Sequence, residues 1–291
     1  MAALCIDLGG TRLRGALAAS DGTLTARAAE PTRAVDGADA VTAQIAAMAH
    51  RIAGGRDVTG LALCAPGPLD AIAGRALATP TIPGFVDYPL RDRLSALVPW
   101  PVRLENDALA ATMGEWRHGA GQGTRDMVYL TVSTGIGGGA VAGGELVRGR
   151  RGMAGHFGHM VVQADGPACP CGNRGCWEAL ASGTAFAARA RAAGFADGAA
   201  VFAAASDPAA DALIADQARW LAIGIVNVAH VHSPETIVIG GGMAAAFDRL
   251  APPIRAHVDR MAMAPFRDVT IRRAALGDDS GLIGLAALVA G

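Results

Sequence analysis

The sequence predicts an α/β fold built from two similar halves. Short apolar runs of strand length alternate with longer Ala-rich stretches of helical composition. A strand–glycine turn–strand unit occurs twice, about 125 residues apart. The 291 residues are 52 % apolar and 18 % charged, enough to bury a sizeable core and too apolar for a disordered chain.

The first unit is Leu4–Asp7, then Gly9-Gly10-Thr11, then Leu13–Ala18. The second is Met127–Val132, a glycine-rich turn at Ser133–Gly139, and a strand over Ala140–Val147. Between them, Ala40–Ile52 reads as a helix, and Leu61–Ala65 as a strand that ends at Pro66-Gly67-Pro68. A short strand at Val102–Leu104 leads into a helix from Asn106-Asp107 to about Trp116, and the domain junction is expected near 106–116. Ser182 or Thr184 caps a helix to about Ala193. Ala209–His230 is a long helix, Thr236–Ile239 a strand closed by Gly240-Gly241-Gly242, and Ala244 onward is helical. Asp279 or Ser280 caps a last apolar helix over Gly281–Ala290.

Composition narrows the function. The net charge of −1 carries no electrostatic footprint for nucleic acid or an anionic membrane. The longest apolar run, Leu221–Ala229, is too short to span a bilayer. The opening MAALCIDLGG has no basic n-region, so no signal peptide is read and a cytoplasmic location is expected. All 25 basic residues are Arg, which removes Schiff-base and P-loop lysine chemistry.

Four segments can do chemistry. In Asp7-Leu8-Gly9-Gly10-Thr11-Arg12, glycine permits close backbone approach to a phosphate, Thr11 adds a hydroxyl and Arg12 a charge. Asp7 could hold hydrated Mg²⁺; a bare hairpin is the alternative. Ser133–Ala140 fits the dinucleotide pattern G-x-G-x-x-A, but that pattern must open a helix, and a strand-like segment follows. A second phosphate hairpin is the better reading. Cys169, Cys171 and Cys176 crowd into eight residues, and with His159 they make a Cys₃His set for structural zinc. His156 is an alternative ligand. Asp107 fits two roles, helix N-cap or general base for a substrate hydroxyl.

DLGGTRLRG, the Glu105-Asn106-Asp107 triplet, STGIGGG, GHFGHM, CPCGNRGCWE and IVIGGGM resemble, in this order, the ROK family of repressors, open reading frames and sugar kinases. The resemblance runs from residue 4 to about 290. It implies the actin-like (hexokinase, ribonuclease H-like) fold, with two α/β domains flanking a cleft. These would be a small domain over 1–110, completed by the helix 280–291, and a large domain over 111–279 carrying the zinc site. It also implies γ-phosphate transfer from ATP to a sugar hydroxyl with Mg²⁺, and a homodimer. Asp7, Gly9, Gly10, Thr11 and Arg12 match the first phosphate hairpin; Thr134, Gly135, Ile136, Gly137, Gly138 and Gly139 match the second. Gly240, Gly241 and Gly242 match the adenosine loop, and Asp107 the catalytic base. Asn106, Gly67, Glu178 and His159 match sugar-pocket positions, with His159 rather than His156 on zinc.

Two positions depart from the common pattern. His156 stands where most sugar kinases of the family have Glu, and Thr81 stands where a sugar-binding Asn is common. The segments AGHFGH and DMVYLTVSTGIGGGAVAGG are similar to bacterial N-acylmannosamine kinases. N-acetylmannosamine is therefore the expected substrate, with glucose the alternative.

Overall fold

In the computed structural model, which describes residues 2–79, 81–204 and 206–289, the chain forms two compact units. The first comprises 1–122, 146–154 and 278–291; the second comprises 123–145 and 155–277.

Strands β1 (Ala2–Leu8), β2 (Arg12–Ala18) and β3 (Leu24–Pro31) are followed by helix α1 (Ala38–Ala53) and β4 (Val58–Ala65). A small antiparallel sheet of β5 (Leu69–Asp70), β6 (Arg75–Ala78) and β7 (Val86–Tyr88) comes next. Helix α2 (Leu90–Ser95), β8 (Val102–Asn106) and α3 (Asp107–His118) follow. The second unit adds β9 (Met127–Val132), β10 (Ile136–Ala142), β11 (Glu145–Leu146), α4 (Trp177–Ala181), α5 (Gly183–Ala192), α6 (Gly198–Ala203) and α7 (Pro208–His232). It closes with β12 (Thr236–Gly240), α8 (Phe247–Met261) and β13 (Thr270–Arg273), and helix α9 (Ser280–Val289) returns to the first unit. The expected last helix extends to Ala290 and Gly291, which lie outside the described residues.

The repeat seen in the sequence is a repeat of topology. One sheet runs β3-β2-β1-β4-β8 and the other β11-β10-β9-β12-β13. In each, an antiparallel hairpin is extended by parallel strands. Large and small residues alternate along β1, which sorts the two faces of the first sheet. Leu4, Ile6 and Leu8 pack with Val41, Ile45 and Met48 of α1. Ala3 and Cys5 pack with Ala62, Cys64, Leu282 and Leu285 on the other face. Small residues there let α9 approach closely. α3 and α9 meet where a Cβ on Gly114 or Gly284 would overlap backbone of the opposite helix. This packing keeps all of α3 in the first unit, so the chain leaves that unit after residue 122 and not within 106–116.

Other boundaries shift for physical reasons. The second glycine turn is confined to 133–135, and Ile136 already begins β10. Gly138 lies in that strand, where a Cβ would meet Tyr129 C=O at 2.3 Å and the Phe157 ring at 2.8 Å. α7 is an unbroken 25-residue helix, capped by Asp207 on Ala209 and Ala210 N–H and long and apolar enough to cross a membrane. More than half of its apolar window is buried inside the protein, as in a core helix.

Candidate active site

In the first unit the β1–β2 turn is tight: Gly9 N–H donates to Arg12 C=O at 2.9 Å, and Thr32 Oγ1 donates to Gly9 C=O at 2.7 Å. Thr11 and Arg12 are exposed at its tip. Thr81 sits directly on Gly10, where a Cβ would come within 2.7 Å of its own Cβ. Gly67 follows β4 and joins Pro68 through a cis peptide. Asp7, next to last in β1, forms an ion pair with Arg14 and accepts from Cys64 Sγ at 3.4 Å.

Asn106 is the N-cap of α3, accepting from Ala108 N–H at 3.0 Å and Leu109 N–H at 3.3 Å. The capping role that the sequence also allowed for Asp107 therefore falls to its neighbour. Asp107 is the first helical residue, with Oδ1 taking Ala108 N–H at 2.8 Å. Its side chain keeps a solvent-accessible surface. The surrounding protein mass nonetheless desolvates the carboxyl and pushes its pKa up to about 6 from 3.8; repulsion from Asp7 adds to this, and the Ala108 N–H opposes it. A carboxylate with its pKa near neutrality is suited to accept a proton from an alcohol.

In the second unit, Ser133 N–H closes the β9–β10 turn on Gly135 C=O at 2.9 Å. Glu178, in the first turn of α4, accepts Ile136 N–H through Oε2 at 2.8 Å, and a Cβ on Gly135 would collide with that carboxylate. Gly240-Gly241-Gly242 link β12 to a short 3₁₀ turn at Gly242–Ala246. Gly241 has φ +76°, and its Cβ would meet Val132 C=O at 2.6 Å, so the loop lies against the end of β9. Beside it opens a cavity of about 500 Å³ floored by Ser133 and Gly242 and walled by Phe186, Phe202, Met243 and Arg249. Its mainly apolar lining and size suit a nucleoside.

His159 and the three cysteines converge in a knuckle of the same unit. Their ligand atoms all lie within 4.8 Å of one another. Cys169 Sγ is 3.7 Å from His159 Nδ1, and Cys171 Sγ is 3.6 Å from Cys176 Sγ. Tetrahedral zinc with bonds of about 2.3 Å to sulfur separates its ligands by about 3.8 Å, so the donor set fits Zn²⁺. Gly172 and Gly175 take φ +93° and +66°, which folds the loop back so that Cys169 N–H reaches Asn173 C=O at 2.8 Å. Fully buried Trp177 anchors the knuckle: Nε1–H donates to Trp220 C=O at 2.8 Å and the ring lies on Gly224 of α7. The next residue is Glu178, so the knuckle, α4 and the second hairpin form one connected structure.

The whole chain, residues 3–291, matches the ROK family. The chain belongs to the ROK family. Glucokinase from Halalkalibacterium halodurans is 36 % identical over 96 % of this chain and 92 % of its own. N-acetylmannosamine kinase from Escherichia fergusonii is also 36 % identical, over 100 % and 99 %. The solved ROK glucokinase of Streptomyces griseus, in complex with glucose and AMPPNP, superposes with a TM-score of 0.85 at 31 % identity, covering 99 % of both chains. This ROK protein is a sugar kinase with the actin-like α/β fold.

Within the ROK chain the site residues fall into two groups, one per unit. Asp7, Gly9–Arg12, Gly67, Thr81, Asn106 and Asp107 belong to the first; 134–139, His156, His159, Glu178 and 240–242 belong to the second. The His156 and His159 rings are near-parallel, with centroids 6.2 Å apart. Of the second hairpin, Thr134 and Gly135 form the turn, whereas Gly137–Gly139 are strand residues. Gly138 serves close packing under Phe157. Sequence reasoning missed the cavity walls on α5 and α6. Phe186 and Phe202, two of only seven Phe, with rings 5.1 Å apart, were the available signal. It also missed Arg14, which takes up the charge of Asp7. With its oxygens engaged by Arg14 and Cys64, Asp7 fits a hydrated Mg²⁺ carried on phosphates better than a metal bound in a protein cage.

Proposed function

We propose that this sugar kinase transfers the γ-phosphoryl group of ATP to the 6-hydroxyl of N-acetylmannosamine. The observation that carries the substrate is His156, which puts an imidazole where most ROK sugar kinases have Glu. A neutral imidazole offers one acceptor and one donor and cannot accept bonds from two sugar hydroxyls as a carboxylate can. The full-length similarity to an N-acetylmannosamine kinase supports this reading, and the equal identity to a glucokinase makes glucose the second candidate.

Asp107 takes the proton of the attacking hydroxyl. The new P–O bond forms to the sugar oxygen as the bond to the ADP oxygen breaks, and the proton stays on the Asp107 carboxyl. Asn106 and Thr81 face the sugar in this reading, with Gly67, His156, His159 and Glu178. Residues 9–12 and 134–139 hold the phosphates in this reading, through backbone N–H groups and the Thr11 and Arg12 side chains. The adenosine occupies the cavity beside Gly242. Mg²⁺ supplies charge neutralisation on the phosphates, near Asp7. Zinc held by His159, Cys169, Cys171 and Cys176 would be structural and would fix the imidazole's direction. A homodimer completes the proposal.

A coupled ADP-release assay with a panel of sugars tests it. N-acetylmannosamine should give a higher kcat/KM than glucose, and the reverse order moves the assignment to glucokinase. His156→Glu should shift the ratio toward glucose; an unchanged ratio removes His156 from selectivity.

A further inference from the structure

Glu105 is the penultimate residue of β8, and its side chain is only 2 % exposed. A buried carboxylate is costly unless it is paired and hydrogen-bonded. Here its oxygens are both engaged. Oε1 accepts the backbone N–H of Asn106 at 3.2 Å, and Oε2 accepts Nε–H of Arg148 at 2.9 Å. Burial pushes the carboxyl above the usual range, while the Arg148 guanidinium opposes that and favours the charged form.

Arg148 lies on 146–154, the stretch that returns to the first unit from the middle of the chain. Asn106 caps α3, and Asp107 is the next residue. A continuous line of bonds therefore runs from Arg148 through Glu105 to the Asn106 backbone and the start of α3. The same stretch holds a built-in control. Arg151 Nε–H donates to Asp70 at 2.6 Å, and Asp70 also accepts Ala73 N–H at 2.8 Å. That second clamp fastens the stretch to β5, in the small sheet, and among the described residues makes no bond to Asn106 or Asp107.

We propose that Arg148 is a positioning residue for phosphoryl transfer, acting through Glu105 to fix the Asn106–Asp107 turn. The inference rests on Asp107 as the base. Misplacing a reacting group by about 1 Å can cost about 10²-fold in rate, so a loosened turn is expected to show in kcat.

Steady-state kinetics with ATP and whichever sugar the wild type turns over fastest test the proposal without depending on the substrate assignment. Arg148→Ala should lower kcat about tenfold while KM for ATP stays within about twofold. Arg148→Lys keeps the charge and should recover most of the rate. Arg151→Ala should keep kcat within about twofold of wild type. Arg148→Ala/Glu105→Gln removes the lone buried charge; it should regain the thermal stability that Arg148→Ala loses, yet stay slow. The proposal is overturned by wild-type kcat in Arg148→Ala, by an equal loss in Arg151→Ala, by no recovery in Arg148→Lys, or by kcat returning in the double variant. Asp107→Asn, assayed alongside, separates the two readings: a fast Asp107→Asn sinks the base assignment whatever Arg148 does.

Discussion

Titration of Asp107 makes the sharpest demand on the proposed chemistry. With its pKa at about 6, the carboxyl is about 90 % ionised at pH 7 and about 10 % at pH 5. Only the ionised form can accept the hydroxyl proton. kcat/KM for the sugar should therefore fall about tenfold from pH 7 to pH 5, along a single inflection near 6. Asp7 raises the Asp107 pKa by repulsion, so Asp7→Asn should move the inflection of its residual activity to lower pH. Asp107→Asn should lower kcat about 10²-fold or more and abolish the inflection. The same shift has a sign in stability. An acid whose pKa rises on folding favours the folded state at low pH, and that contribution is lost as pH climbs through about 6. Asp107→Asn should consequently raise Tm at pH 7 relative to wild type, with the difference vanishing near pH 4. Initial rates in a constant-ionic-strength buffer series, paired with thermal melts, give both curves. A flat rate profile between pH 5 and 7, or an inflection near 4, would refute the reasoning.

Three further outcomes follow from other parts of the molecule. Cys171→Ser should lower zinc bound per chain in elemental analysis and make the 159–178 segment more sensitive to proteolysis; wild type that purifies metal-free and fully active would contradict the zinc assignment. Phe202→Ala removes one aromatic wall of the cavity beside Gly242, and losing about 1 kcal/mol should raise KM for ATP about fivefold with the sugar KM unmoved. Gly284→Val places side-chain atoms inside the backbone of α3 and should cost about 1–3 kcal/mol, read as a lower midpoint in denaturant titration.

Much of the fold was legible because it is carried by local signals. Leu4–Asp7, Met127–Val132 and Thr236–Ile239 are apolar runs bounded by glycine, and each is a central strand. Ser182 announces the helix that it caps. What escaped lacks such a signal. β3 is LTARAAEP, an edge strand with mostly accessible side chains and no apolar alternation to read. β5, β6 and β7 are two to four residues long, below the length at which periodicity means anything. The second glycine turn, expected over Ser133–Gly139, ends at Gly135 because β10 already starts at Ile136. Gly138 stands in that strand where a Cβ would meet Tyr129 C=O and the Phe157 ring, a tertiary fact absent from its neighbours in sequence.

The site shows the same division between local and distant causes. Cys169, Cys171 and Cys176 are close in sequence, so their clustering pointed to metal before any coordinates, and the positive-φ glycines between them fit that reading. Asp107 was legible as chemistry only through its context in a motif, since an Asp at a helix start is ordinarily a cap. The structure resolves that ambiguity by giving the cap to Asn106. Asn106 takes both Ala108 and Leu109 N–H, and Asp107 adds only a second acceptor on Ala108 N–H. Its position at the end of a buried strand, close enough to Asp7 for the two charges to repel, imposes a raised pKa. In the proposed reaction that raised pKa suits Asp107 to take the hydroxyl proton, while Asn106 carries the capping of α3.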